Sequence, residues 1–282
     1  MTGKTPTPEP ISEALRNDLR HVVARQPYPL LFATVSGAHL YGFPSTDSDV
    51  DLRGVHLLPA PEIVGLELGE ETLETADKCG DVHVDLVTHD AKKFILMLLK
   101  PNGYVLEQLH SPLIVQTTAE HAALKKLALG CVTRHHSHHY LGFADNQWKL
   151  FEKEYPRRVK PLLYVFRVLL TGTYLMQTGE IEANLWRLND LFRLPYLAEL
   201  IARKTEGAEK SLLHDDDVTL YRQEVLRLRE ALEQAAQRTA LPVQPSNTTR
   251  RALHDLLVSL RLRTPVKRLP SAHPTPHRRP NR

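Results

Sequence analysis

The chain has 282 residues, is 42% hydrophobic and 24% charged, and carries a formal net charge of +3. That length can bury a sizeable core, and the composition excludes wholesale disorder and collagen-like repetition. No run approaches the roughly 18 uninterrupted apolar residues of a membrane helix, and MTGKTPTPEPISEALRNDLR at the start lacks the apolar centre of a signal peptide.

Cys79 and Cys131 are the only cysteines, too few for a disulfide framework or a cysteine-based zinc site, so the expectation is a cytoplasmic protein with no membrane association. The small net charge hides an asymmetry. Residues 1–115 hold 9 Lys/Arg against 16 Asp/Glu (−7), and residues 116–282 hold 27 against 17 (+10). Such a split suits a carboxylate cluster facing a phosphate-attracting surface, and equally suits two solvated surfaces of different composition.

In chain order, residues 1–25 read as an N-terminal arm and helix. PLLFATV (29–35) is a buried-strand run, and DVDLRGVHLL (49–58) and VHVDLVT (82–88) each carry a two-residue period. The intervening ELGEETLETADKCGD reads as an exposed acidic connection. Asp90 is a plausible N-cap for AKKFILMLLK, a helix ended by Pro101 and Gly103.

From residue 117 the pattern is nearly all helical, with segments at 118–152, 160–178, 183–203, 217–238 and 248–263. In the fourth, Val218, Tyr221, Val225, Leu228, Leu232 and Ala235 form a helix-packing seam. Residues 264–282 hold five prolines, five Lys/Arg and no acid, and read as a disordered basic tail. The expected architecture is therefore α/β (α+β): a core at 26–116 with a small mixed sheet flanked by helices, then a helical domain at 117–263.

The chemistry concentrates in VSGAHLYGFPSTDSDVDLRGV (35–55). A strand puts residues i and i+2 on one face, so Asp49 and Asp51 point together while Val50 and Leu52 enter the core. Like charges at that spacing need protonation, solvation or cations, and hard oxygen donors suit paired Mg²⁺ ions bridged by carboxylates. Asp85, the only carboxylate in the middle of VHVDLVT, is the candidate third ligand. Upstream, Gly37 lets backbone amides approach a phosphate. Arg53 continues the Asp49–Asp51 face, either to meet a phosphate or to balance the carboxylates.

At these residues the chain resembles the DNA polymerase beta nucleotidyltransferase superfamily: a strand, a Gly followed by Ser or Gly, a spacer, Asp–apolar–Asp, and a third acid on a later strand. SGAHLYGFPSTDSDVDLRGV, DLVTHDAKKFILMLLKPNGYVLEQL and KPLLYVFRVLLTGTYLMQTGEI are similar, more closely, to the YcgL and RNA-ligase-associated (RlaP-like) nucleotidyltransferases, over roughly residues 30–205. The resemblance implies that Asp49, Asp51 and Asp85 hold two Mg²⁺ (or Mn²⁺) ions. It also implies attack of an acceptor hydroxyl on the α-phosphate of an NTP, with release of pyrophosphate. The superfamily Ser is replaced by Ala38; Ser36, one residue before the glycine, is the candidate substitute, and the Gly37 and Ala38 amides remain available.

Farther along, Lys160, Tyr164, Arg167 and Thr171 make a polar stripe on an apolar helix. Lys160 and Arg167 either find carboxylate partners or border a cleft that receives phosphate. RHHSHHY (134–140) places His135 and His139 on one helical face, but without a metalloprotease glutamate or cysteine ligand it reads as helix surface. His39 and His83 lie near the carboxylates in sequence. The expected function is metal-dependent transfer of a nucleoside monophosphate to an acceptor hydroxyl, with RNA or DNA ends favoured as acceptors. The alternatives are a nucleotide-binding regulatory pseudoenzyme and a nucleic-acid-binding partner protein.

Overall fold

A computed structural model describes residues 11–206, 213 and 215–263, with the side chains of 215–217 excluded. The start of the expected N-terminal arm (1–10) and the basic tail (264–282) lie outside the described residues.

Among the described residues, five strands form one mixed sheet: β1 (Leu30–Val35), β2 (Val50–His56), β3 (Thr72–Cys79), β4 (Val82–Asp90) and β5 (Ile114–Gln116), in the order β3-β4-β2-β1-β5. β2 and β4 run parallel, while β1–β2, β3–β4 and β1–β5 are antiparallel. The apolar run of β1 is buried at every position, as a strand covered on both faces requires. On one face, α1 (Glu13–Ala24) packs Leu19, Val22 and Val23 against Ala33, Val35, Val50, Leu52, Val84 and Leu86. The opposite face meets the main core, and there Asp51, Arg53 and Asp85 emerge by strand alternation.

The acidic connection contains a strand that the composition hides. β3 is an edge strand with charged residues on its open side, a composition that suits an edge and weakens the usual strand signal. It turns into β4 through Gly80–Asp81, with Gly80 at φ +60°, a two-residue hairpin loop.

Four helices punctuate the core: α2 (Gly37–Tyr41), α3 (Pro61–Val64), α4 (Ala91–Leu98) and α5 (Gly103–His110). Asp90 caps α4 as expected, accepting a hydrogen bond from the Lys92 N–H at 2.9 Å. Gly103 opens α5 as well as following α4: Asn102 Oδ1 accepts from the Tyr104 N–H, and a side chain at 103 would run into the Tyr140 ring.

The long helical segment expected at 118–152 is two helices, α6 (Ala119–Ala128) and α7 (His136–Lys153), separated by a short 3-10 turn and a Thr133 link. Residues 183–203 also divide, into α9 (Leu185–Phe192) and α10 (Leu197–Glu206), where Arg193 takes a left-handed conformation at φ 55°. Between these pairs runs α8 (Val159–Thr178). It is long and apolar enough to cross a membrane by length and composition, yet 83% of its most apolar window is buried inside the protein. α11 (Asp215–Arg238) packs along α8, with all six residues of the expected seam buried, and α12 (Asn247–Arg263) completes the layer. Arg261 on α12 reaches back to the sheet, donating to both carboxylate oxygens of Asp90 at 2.7 and 2.6 Å.

Candidate active site

The parallel register sets Asp51 of β2 directly beside Asp85 of β4. Their repulsion is met by Arg53, whose Nη2 lies 2.8 Å from Asp51 Oδ1 and 3.7 Å from Asp85 Oδ2. Arg53 is held firmly. Its Nη1 donates to the carbonyls of Leu52 (2.7 Å) and Asp85 (2.9 Å), and its Nε donates to the Tyr104 hydroxyl at 3.0 Å. Burial opposes its charge, but Tyr104, Asp51 and Asp85 more than offset this, so its pKa lies above the ordinary arginine value. Of the two roles open to Arg53 from sequence, the geometry displays the balancing one.

Asp49 is exposed one residue before β2 begins. Among the described residues, no group of three His, Cys, Asp or Glu side chains is arranged to hold a metal ion. Asp51 and Asp85 nevertheless offer adjacent hard oxygen donors, and the guanidinium against them shows that the site accepts positive charge. The donor set therefore fits Mg²⁺ or Mn²⁺. His39 is partly buried near Asp51; burial lowers its pKa, an effect that the carboxylate opposes. His83 is exposed on β4.

The turn before the carboxylates is built for close approach. Gly37 has φ +61°, and a Cβ there would overlap Asp51 Oδ2, so glycine is required on both counts. The Ser36 N–H donates to the Asp51 carbonyl at 2.8 Å, tying this turn to β2. Ser36 Oγ is buried without a hydrogen-bond partner, and Ala38 packs into the main core. Neither side chain presents a hydroxyl to solvent.

Beside Gly37 and Asp51 opens a cavity of about 280 Å³, lined also by Tyr41, Tyr104, Glu107, His139, Tyr140, Phe143, Tyr164 and Arg167. Arg167 forms its floor. It is 3% exposed, pairs with Glu107 at 2.7 Å, and stacks 3.8 Å from the centre of the Tyr41 ring. Arg167 thus has the carboxylate partner that one of its two readings required, and it also lines the cavity. Burial works against its charge, but Glu107 and the surrounding tyrosines outweigh that and hold it protonated. Lys160, two turns earlier on the stripe, lines a separate outer groove instead.

Sequence reasoning missed Glu107, Tyr41, Tyr104, Tyr140, Phe143 and His139. Glu107 carried a signal: it is the lone acid in the helix GYVLEQLH, as Arg167 is the lone arginine in the apolar α8. His139 belongs to the stretch read as helix surface, yet it faces the cavity. Its pKa is lowered, mainly by burial and further by Arg167, which favours a neutral imidazole.

The family model described as RlaP, RNA repair pathway DNA polymerase beta family, matches residues 11–259. The chain belongs to that family. Relatives within reach of direct sequence comparison include the uncharacterized protein MJ0002 of Methanocaldococcus jannaschii, 32% identical over 154 residues. That match covers 55% of this chain and 63% of MJ0002. The uncharacterized protein YcgL of Bacillus subtilis is 26% identical over 236 residues, covering 79% of this chain and 89% of YcgL. Among solved structures, the chain is similar to a nucleotidyltransferase-like protein from Exiguobacterium sibiricum, at 15% identity and a TM-score of 0.29, over 88% of this chain and 74% of that one. RlaP membership places the chain in the DNA polymerase beta family, as the DSDVDLRGV segment implied.

Proposed function

We propose that the protein transfers a nucleoside monophosphate from an NTP to an acceptor hydroxyl on a nucleic-acid end, in the cytoplasm. The observation that carries this reading is the in-register Asp51–Asp85 pair, set against a glycine that leaves no room for a side chain, at the mouth of an aromatic cavity. The acceptor oxygen attacks the α-phosphorus, the bond to the bridging oxygen of pyrophosphate breaks, and the hydroxyl proton passes to a carboxylate of the pair. Asp51 and Asp85, with Asp49 two positions before Asp51, would hold Mg²⁺ or Mn²⁺, which would supply positive charge to stabilise the phosphoryl oxygens. Arg53 holds both carboxylates in place, and the backbone at Gly37 and Ala38 passes close enough for amides to meet a phosphate. The aromatic walls offer faces to a base, and Arg167 lends the cavity floor a fixed positive charge.

The test uses α-³²P-labelled NTPs with Mg²⁺ or Mn²⁺ and, as acceptors, short RNA, short DNA and a small-molecule pool. Label transferred by the wild type and absent in Asp51→Asn supports the reading; no transfer to any acceptor sinks it.

A second reading, a nucleotide-binding regulator without turnover, draws on two observations: Ala38 is a core residue, and Arg53 already neutralises part of the carboxylate charge. NTP binding without pyrophosphate release distinguishes it.

A further inference from the structure

The α7–α8 connection carries a second concave surface that the transfer chemistry leaves unused. A groove of about 530 Å³ is lined by Lys153, Arg158, Lys160, Glu154, Leu150 and Tyr164. Among its lining residues Lys153, Arg158 and Lys160 stand with Glu154, and residues 149–160 as a stretch hold five Lys/Arg with Glu152 and Glu154. Both acids are engaged, Glu154 with Arg158 and Glu152 with Arg222. Apolar faces interleave with the cations, since Leu150 is 56% exposed and Tyr155, in the same connection, is 81% exposed.

Position gives this groove its meaning. Tyr164 lines it and also lines the cavity beside Asp51, so the two concavities share a wall. Along α8, Lys160 and Arg167 stand seven residues apart, about 10.5 Å at the helical rise. A polymer whose end occupies the cavity therefore meets the cationic groove next. A cationic track with exposed aromatic and apolar faces, leading away from a reacting end, fits the backbone and bases of a single strand. A small acceptor would not reach it.

We infer that the groove at the α7–α8 connection binds a single-stranded nucleic acid and directs its end into the cavity beside Asp51. The inference rests on the proposed transfer reaction for the role of that end, while the binding itself is tested independently.

The experiment measures fluorescence anisotropy of end-labelled twelve-nucleotide RNA and DNA with the full chain across a salt series. Lys153→Gln/Lys160→Gln should weaken binding of the preferred strand about tenfold and reduce the magnitude of the log–log salt slope by roughly 1.4, two contacts at about 0.7 each. Lys153→Glu, at an exposed position, should weaken it in the same sense without risk to folding. NTP binding should be unchanged in both variants, and Lys78→Glu on the distant sheet edge should bind as wild type. Preference for RNA over DNA, or the reverse, identifies the strand and supports the inference either way.

Oligonucleotide binding unchanged in both groove variants overturns the inference, as does an equal loss in Lys78→Glu or no binding of either strand. Tighter, groove-dependent binding of a poly-glutamate competitor than of either strand also overturns it, in favour of an acidic peptide. Transfer that persists undiminished in the groove variants overturns the groove and leaves the transferase reading standing. Groove-dependent binding with no transfer in the wild type does the opposite.

Discussion

Two arginine–carboxylate pairs sit within one cleft and behave as opposites. Arg53 and Asp51 lie on the sheet with the carboxylate 34% exposed, and Asp85 beside them is 55% exposed. Arg167 and Glu107 lie between helices at 3% and 1% exposure. Solvent can replace what the first pair supplies, so its carboxylates are free to exchange a guanidinium contact for a metal or phosphate. The second pair has no such substitute, because breaking it strands a charge in the interior. The open pair is suited to chemistry, and the closed pair to holding α5 against α8 so that the cavity keeps its floor.

The sharpest way to break this comparison is to neutralise each side. Asp51→Asn or Asp85→Asn should lower transfer by about 10²–10³-fold or more while thermal unfolding stays close to wild type. A large loss of stability with either would make the open pair structural after all. Arg167→Met should destabilise the fold by about 3–5 kcal/mol, read by urea unfolding, and Arg167→Met/Glu107→Leu should recover much of that loss. Retained stability in the single variant would remove the distinction between the pairs.

His136 extends the test of closed sites into the helical layer. It is fully buried on α7, its Nδ1 accepts from the Thr133 N–H at 3.1 Å, and burial lowers its pKa to about 4. The unfolded chain binds a proton there near pH 6.5 and the folded chain does not, so the unfolded state gains as pH falls. Stability present above pH 6.5 should decline towards pH 4 by up to about 3 kcal/mol, and His136→Gln should flatten that part of the profile. A wild-type profile that is already flat would contradict the assignment. A stability loss smaller than at Arg167 or His136 is expected at Gly37→Ala: the left-handed backbone costs about 1–2 kcal/mol, but the added methyl displaces Asp51, so transfer should fall far more than stability. Equal losses would mean that the turn serves folding alone.

How much was legible depends on the range over which each signal acts. The Asp51 face and the α11 seam rest on strand or helix periodicity and the Asp90 cap on a capping residue, all within about twenty residues, and each stands where the pattern placed it. Asp85 was reachable as the lone central carboxylate of its strand, but that it faces Asp51 follows from the parallel register of β2 and β4. β3 was hidden because an edge strand needs only half a hydrophobic pattern, although Gly80–Asp81 between two alternating runs was a hairpin signal. The breaks after α6 and α9 were missed because apolar spacing continues across them in sequence while the chain changes direction.

By itself the sequence determined where the candidate site lies, since the glycine turn, Asp–Val–Asp and a later strand aspartate are local features, and local geometry fixes which way they point. It also determined that a polar stripe would run along α8. Only the tertiary structure decided what that stripe does: Arg167 meets Glu107 from 60 positions away and becomes the cavity floor, while Lys160 turns to an outer groove. Tyr41, Tyr104, His139 and Phe143 likewise become neighbours only through packing of α2, α5 and α7. Periodicity encodes the face that a side chain occupies; which charge it meets there depends on long-range packing that no short window of sequence contains.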